Sequence, residues 1–295
     1  MTTSRPRQRA DLRRADLHWL VIASSGFALA LMLSLTGIIT RLVDAGIFLD
    51  LHVIAFLNRF AHRSRNVDTS IWHIWTTAAL QGGIVVALVW GAWFSRSEEF
   101  RSRTKRETIM SSLIGMYVCL LGTLVLRAAL PFRLRPANDF TIAHQMPYLP
   151  DGTTYVHQAT SFPSGHAAVL FSLAVGLGLV SRRLGLLTAL YGLFVVCLPR
   201  LYFGRHFATD VVAGAALAVA IVPSVNTILC GSSLMRRVVA WPDTRPALFY
   251  GAMFLCSLDI ASDFTVAKTT IHFAGLFAEV DVSRVVMLPR TLPLW

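Results

Sequence analysis

The sequence predicts an all-α polytopic membrane helical bundle, with about six transmembrane helices plus an outer interfacial helix. Three observations carry that expectation. Of 295 residues, 55% are hydrophobic and only 15% charged, a balance too apolar for an ordinary soluble domain of this length. Apolar runs long enough to cross a bilayer recur along the chain, and lysine and arginine gather between them in alternate connections.

A hydrocarbon core of roughly 30 Å asks for about 20 apolar residues in a helix. Runs near that length lie at 19–40, 71–94, 109–130, 164–180, 184–199 and 207–229. The fourth and fifth are short, which is tolerable where a span ends at a polar, protein-lined site. The first follows Arg5, Arg7, Arg9, Arg13 and Arg14. It exceeds a signal-peptide core of roughly 7 to 15 residues and lacks a clear small-residue cleavage site, so it reads as an uncleaved anchor.

Orientation follows from the basic connections. The N-terminal cluster, then Arg96, Arg101, Arg103, Lys105 and Arg106, then Arg182 and Arg183, and finally Arg236 and Arg237 all fall on one side. That side is the cytoplasm. The other side receives 42–70, 131–163 and 200–205. Segment 43–60 mixes apolar residues with Asp44, Asp50, His52 and Arg59 and reads as a helix at the outer interface. Segment 248–260 is apolar, but Asp259 and Asp263 interrupt it, so a seventh span is not favoured. The domain plan is a basic N-terminus (1–18), a membrane domain (19–230, with the motif-bearing core at 109–230) and a C-terminal extension (231–295) of no assigned role.

The formal net charge of +11 does not point to a nucleic-acid partner, because the basic residues form short clusters between apolar runs rather than one polar face. Anionic lipid headgroups and topology explain it better. Cys119, Cys197, Cys230 and Cys256 form no close ligand-type pair, which argues against a zinc site or a disulfide framework.

Three polar clusters stand at the outer ends of apolar helices: Arg127 with Arg133, Arg135 and Pro136; Pro163-Ser164-Gly165-His166; and Arg200 with His206 and Asp210. Ionisable groups at membrane depth are costly, so each needs a reason. Pro163 and Ser164 suit a helix start, Gly165 lets a ligand approach the backbone, and free amides there attract anions. His206 and Asp210, four apart, share a helix face, where the carboxylate can hold the imidazole in one tautomer. Arginine donors match phosphate oxygens and stay charged. Singly, each has a commoner role: a cap, a satisfied structural histidine, a buried ion pair or a snorkelling arginine. Convergence on one membrane face weakens those readings together.

These residues resemble the type 2 phosphatidic acid phosphatase family, whose pattern is a Lys-to-Arg-Pro motif, a Pro-Ser-Gly-His motif, and a Ser-Arg motif followed by His and Asp. The second motif is intact at 163–166, and Arg200, His206 and Asp210 keep the spacing of the third. Ala128 occupies the usual lysine position, with Arg127 one residue earlier as its substitute and Arg133 as a weaker candidate. Pro199 replaces the serine before Arg200. The resemblance implies that His206 attacks phosphorus, Asp210 orients it, and His166 protonates the leaving group. Arg127, Arg135, Arg200, Ser164 and the Gly165 amide would surround the phosphoryl oxygens. It implies no metal and no cofactor.

Soluble acid phosphatases and vanadium haloperoxidases share these motifs, so the membrane spans are what point to a lipid substrate. The expectation is a phosphatase or diphosphatase of the bacterial inner membrane, with its site facing outward, acting on a prenyl pyrophosphate, phosphatidate, phosphatidylglycerol phosphate or lipid A phosphate. The alternative is a lipid phosphotransferase sharing the phosphohistidine. A channel or transporter would scatter polar residues through the midplane instead of gathering them at one end.

Overall fold

The computed structural model describes residues 38–95, 99–139, 142, 146, 147 and 160–262. The apolar run up to residue 37, the arginine-rich start, Arg96, the loop residues His144, Tyr148, Asp151, Tyr155 and His157, and the tail from Asp263 lie outside them. Among the described residues every regular element is helical, with no strand. The helices are α1 (Ile38–Asn58), α2 (Arg65–Thr76), α3 (Ala79–Phe94), α4 (Glu99–Ala129), α5 (Gly165–Val180), α6 (Arg182–Tyr202), α7 (Ala208–Leu229), α8 (Ser233–Thr244) and α9 (Pro246–Ala261).

The 16 residues of α5 are apolar almost all round, the pattern of a helix enclosed by protein, and α5 packs against α4, α6 and α7. Enclosure explains its length: a helix shielded from lipid by its neighbours need not match the bilayer thickness. The surrounding helices turn Leu121, Val125, Leu186, Phe194, Val212 and Ile228 outward. Such an apolar exterior requires lipid around it. By length and composition α4, α6 and α7 can each cross a membrane, and the bent pair α2–α3 can form a fourth crossing. The chain is a multi-pass membrane protein.

Several elements differ from the sequence-based expectation. The run at 71–94 is not one straight helix, because α2 and α3 meet at a bend of 61°. Thr77 is extended there (φ −80°, ψ 109°), and the Thr76 and Thr77 hydroxyls donate back to the Trp72 and His73 carbonyls. The run at 184–199 lies in a longer helix of 21 residues that continues through a π-helical segment, Gly192–Cys197. The segment at 43–60 lies mostly in α1, whose Asp50 is fully buried against the bundle.

Beyond residue 230, α8 and α9 return to the bundle. Phe249 and Ile260 join Val85, Trp93, Met110 and Met116 in the main core cluster, with Phe249 stacked on Trp93 at 5.4 Å between ring centroids. The acid that interrupts this apolar segment is accommodated by a partner: Asp259 Oδ2 accepts from the Tyr117 hydroxyl at 3.3 Å. Away from the Arg127 end of α4, a second polar group is closed on itself, with Asn226 donating to the Ser111 hydroxyl at 2.8 Å and to the Thr108 carbonyl at 3.2 Å.

Candidate active site

Three chain segments at one end of the bundle build the site: 127–138 after α4, 160–166 leading into α5, and the turn 203–207 between α6 and α7. Backbone hydrogen bonds lock them together. Ser161 N donates to the Arg133 carbonyl at 2.9 Å, Ala137 N to the Gly204 carbonyl at 2.9 Å, and Ser164 N to the Asp210 carbonyl at 3.0 Å. The α5 start and α7 approach closely because Gly214 has no side chain. A Cβ there would stand 2.5 Å from the Ser164 carbonyl oxygen and 2.9 Å from Ala168 N, distances that backbone atoms cannot yield.

Ser164 caps α5, its hydroxyl accepting from Ala167 N at 3.4 Å. Gly165 and His166 form the helix's first turn, where amide donors point outward along the axis. His166 and His206 confront each other with ring centroids 6.4 Å apart. His206 is 98% buried, and its Nδ1 donates to the Ser161 carbonyl at 2.9 Å. A carbonyl can only accept, so Nδ1 carries the proton and Nε2 keeps the lone pair.

Asp210 Oδ2 faces the same Nδ1 at 3.6 Å, an ion-pair distance, and accepts from Phe207 N at 2.7 Å. The Ser161 carbonyl and the Asp210 carboxylate both face Nδ1, the carbonyl at the shorter distance. Burial pushes the His206 pKa down to about 4, with Asp210 opposing the shift and the Arg135 and Arg127 charges adding to it.

The arginines divide by partner. Arg127, in the last turn of α4, donates through Nε (3.2 Å) and Nη2 (2.8 Å) to the Pro163 carbonyl, which brings its guanidinium against the Pro-Ser-Gly-His turn. Arg135 is buried and donates to the Arg205 carbonyl at 2.9 Å. Burial lowers its pKa to about 9, helped by the charges of Arg205, Arg127 and Arg200, so it remains a cation at neutral pH. Arg200 is buried near the end of α6, with Nη1 donating to the Val196 carbonyl at 3.0 Å and to the Gln81 side-chain oxygen. His166 and His206 therefore face each other, Arg127 lies against the Pro-Ser-Gly-His turn, and the charges of Arg127 and Arg200 act on Arg135.

Arg133 has another task. Its Nη1 donates to Asp210 Oδ1 at 2.7 Å and its Nη2 to Asp50 Oδ2 at 2.6 Å, while the guanidinium lies 4.1 Å from the centre of the Phe207 ring. Asp50 also accepts from Thr209 N at 2.9 Å and from the Thr209 hydroxyl at 2.6 Å. One cation thus ties α1 to the first turn of α7. Sequence reasoning took Asp50 only as one of several polar residues of segment 43–60, although an acid in an apolar helix was the available signal. Gln81 and the Ser161 carbonyl left no local signal. Among the described residues no group of three or more His, Cys, Asp or Glu is arranged to hold a metal ion.

Residues 108–229 match the family model described as the PAP2 superfamily. A similar solved structure is the crystal structure of the first transmembrane PAP2 type phosphatidylglycerolphosphate phosphatase from Bacillus subtilis, at 19% identity, covering 70% of this chain and 94% of that one, with a TM-score of 0.43. No curated protein matches the sequence. The family match takes in Arg127, Arg135, the Pro-Ser-Gly-His turn, Arg200, His206 and Asp210.

Proposed function

We propose that this chain is a lipid phosphatase or diphosphatase that works through a phosphohistidine at the extracytoplasmic face of a bacterial inner membrane. The observation that carries the reading is the imidazole pair: His206, with its Nδ1 proton committed to the Ser161 carbonyl, faces His166 across 6.4 Å between ring centroids. The His206 Nε2 lone pair forms the N–P bond as the bond from phosphorus to the lipid oxygen breaks. His166 gives that oxygen its proton, then takes one from the water that cleaves the N–P bond and releases inorganic phosphate. Arg127, Arg135, Arg200, Ser164 and the Gly165 amide hold the phosphoryl oxygens, where fixed donors stabilise charge as it concentrates in the transition state. Asp210 stabilises the positive charge that develops on His206.

The orientation rests on single helices with basic and site residues at opposite ends. Arg103 and Lys105 open α4 and Arg127 closes it; Arg182 and Arg183 open α6 and Arg200 lies near its end; Asp210 opens α7 and Arg236 and Arg237 follow it. With the basic ends cytoplasmic, the site faces out. Six crossings, the run at 19–40, the α2–α3 pair and α4 to α7, give this arrangement with a cytoplasmic N-terminus. The lipid tail stays in the bilayer while the headgroup enters the arginine-lined site.

The test presents purified protein with phosphatidate, phosphatidylglycerol phosphate, a prenyl pyrophosphate and a lipid A phosphate, with and without chelator, and measures inorganic phosphate. Release from at least one lipid, undiminished by chelator, is expected. A strict requirement for added divalent metal contradicts the scheme, and label passing to a hydroxyl acceptor without phosphate release would make the protein a phosphotransferase.

A pH effect follows from the buried imidazole. Folded His206 binds a proton less tightly than unfolded histidine, whose pKa is about 6.5. Its contribution to stability is therefore full above about 6.5 and is lost as pH falls towards 4. The melting-temperature difference between wild type and His206→Gln should shift against the wild type over that interval, whereas a difference independent of pH would place the titration elsewhere.

A further inference from the structure

The α2–α3 span is broken beside the site, and the break is built around Gln81. A bend inside a membrane helix frees backbone carbonyls that lipid cannot satisfy. Besides the Thr76 and Thr77 hydroxyls, two more side chains donate to carbonyls here. Gln81 Nε2 donates to the Ile74 carbonyl at 2.9 Å, and the Tyr191 hydroxyl of α6 donates to the Leu80 carbonyl at 2.6 Å. The other end of the same amide, Gln81 Oε1, accepts from Arg200 Nη1. With Nη1 also on the Val196 carbonyl, the plane of the guanidinium is fixed. The turn that carries Gln81, Ala79–Gly83, is π-helical, a form that often marks functional positions.

The end of α9 lies against this turn. A Cβ on Gly82 would stand 2.6 Å from the Ile260 carbonyl oxygen and 3.1 Å from Ala261 Cα, so only glycine admits this contact. Two hydrogen bonds fix α9 in register: Tyr117 to Asp259 at 3.3 Å and Trp90 Nε1 to the Ser257 hydroxyl at 3.0 Å. Gln81, Gly82 and α9 all lie outside the residues that match the family model.

We propose that Gln81 is a positioning residue that aims Arg200 at the phosphoryl group, and that α9 holds it in place by closing on Gly82. An amide suits the task, because its oxygen orients a guanidinium without neutralising it. A carboxylate there would compete with the phosphate for the same cation. The proposal rests on the reading of Arg200 as a phosphate ligand.

The test uses the purified full chain, with orthovanadate as a phosphate-like inhibitor. Gln81→Met keeps the length of the side chain and removes the acceptor; it should raise KM and the vanadate inhibition constant about tenfold, the loss of one well-placed hydrogen bond. Gln81→Glu should weaken vanadate further, since the new charge opposes the oxyanion. Gly82→Ala, which leaves the amide intact, should weaken it in the same direction by displacing α9. In an Arg200→Met background Gln81→Met should add nothing, whereas a purely structural role would cost the same in both backgrounds. Unchanged vanadate inhibition in Gln81→Met and Gln81→Glu, or additive losses in the double variant, would overturn the positioning role while leaving the phosphatase reading intact. A wild-type protein that neither releases phosphate nor is thermally stabilised by vanadate would overturn that reading, and this proposal with it.

Discussion

Replacing His206 with alanine should reduce phosphate release by at least ~10⁴-fold, the scale on which a nucleophile acting within a cooperative constellation fails. The size follows from its place in the scheme. Arginines and the α5 amides can still bind the headgroup without His206, but no group remains to split the reaction through a covalent step. Binding should survive, so vanadate or product should still stabilise His206→Ala against heat. The fold should survive as well, because the His206 ring bonds a backbone carbonyl that other main-chain contacts already hold: Ser161 N remains on the Arg133 carbonyl at 2.9 Å. Phosphate release by His206→Ala within tenfold of wild type would remove the residue from its assigned role.

The second large effect belongs to Arg133. In Arg133→Leu the carboxylates of Asp50 and Asp210, both fully buried, lose the cation they share. Removing one member of a buried ion pair typically costs about 3–5 kcal/mol, because the remaining charge has neither water nor a partner. For a chain of this size that corresponds to a fall of roughly 10 °C in melting temperature. Asp50→Asn should cost less, since its amide oxygen still accepts from Thr209 and Arg133 retains Asp210. Activity should fall in parallel, because Arg133 also sets the backbone whose Ser161 carbonyl orients His206. An Arg133→Leu protein that melts with wild type would show that the Asp50–Arg133–Asp210 bridge contributes little.

The parts of this molecule that were legible in sequence are those written at short range. The Pro-Ser-Gly-His run gives a helix start, and the spacing of Arg200, His206 and Asp210 gives a turn entering α7; both are visible within ten residues or so. The helical class followed from apolar runs because lipid admits few other backbones. What stayed hidden depends on distant partners or on the main chain. Asp50 and Arg133 are 83 positions apart, and Gln81 and Arg200 are 119 apart. No periodicity joins them. The shorter partner of His206 Nδ1 is a backbone carbonyl, which every residue has, so side-chain spacing could show only Asp210. The break at Thr77 was concealed because hydropathy counts composition over a window and is blind to a bend within it. In α9, Asp259 counted against a seventh span in the sequence, which could not show that Tyr117 is its partner.

The most direct test of the covalent scheme is to quench the purified enzyme during turnover of a lipid labelled in its phosphate and to map the phosphorylated peptide. An acid-labile phosphoryl group on His206, formed and consumed at rates compatible with turnover and absent from His206→Ala, is the predicted result. Label on another residue in the active wild-type enzyme would contradict it.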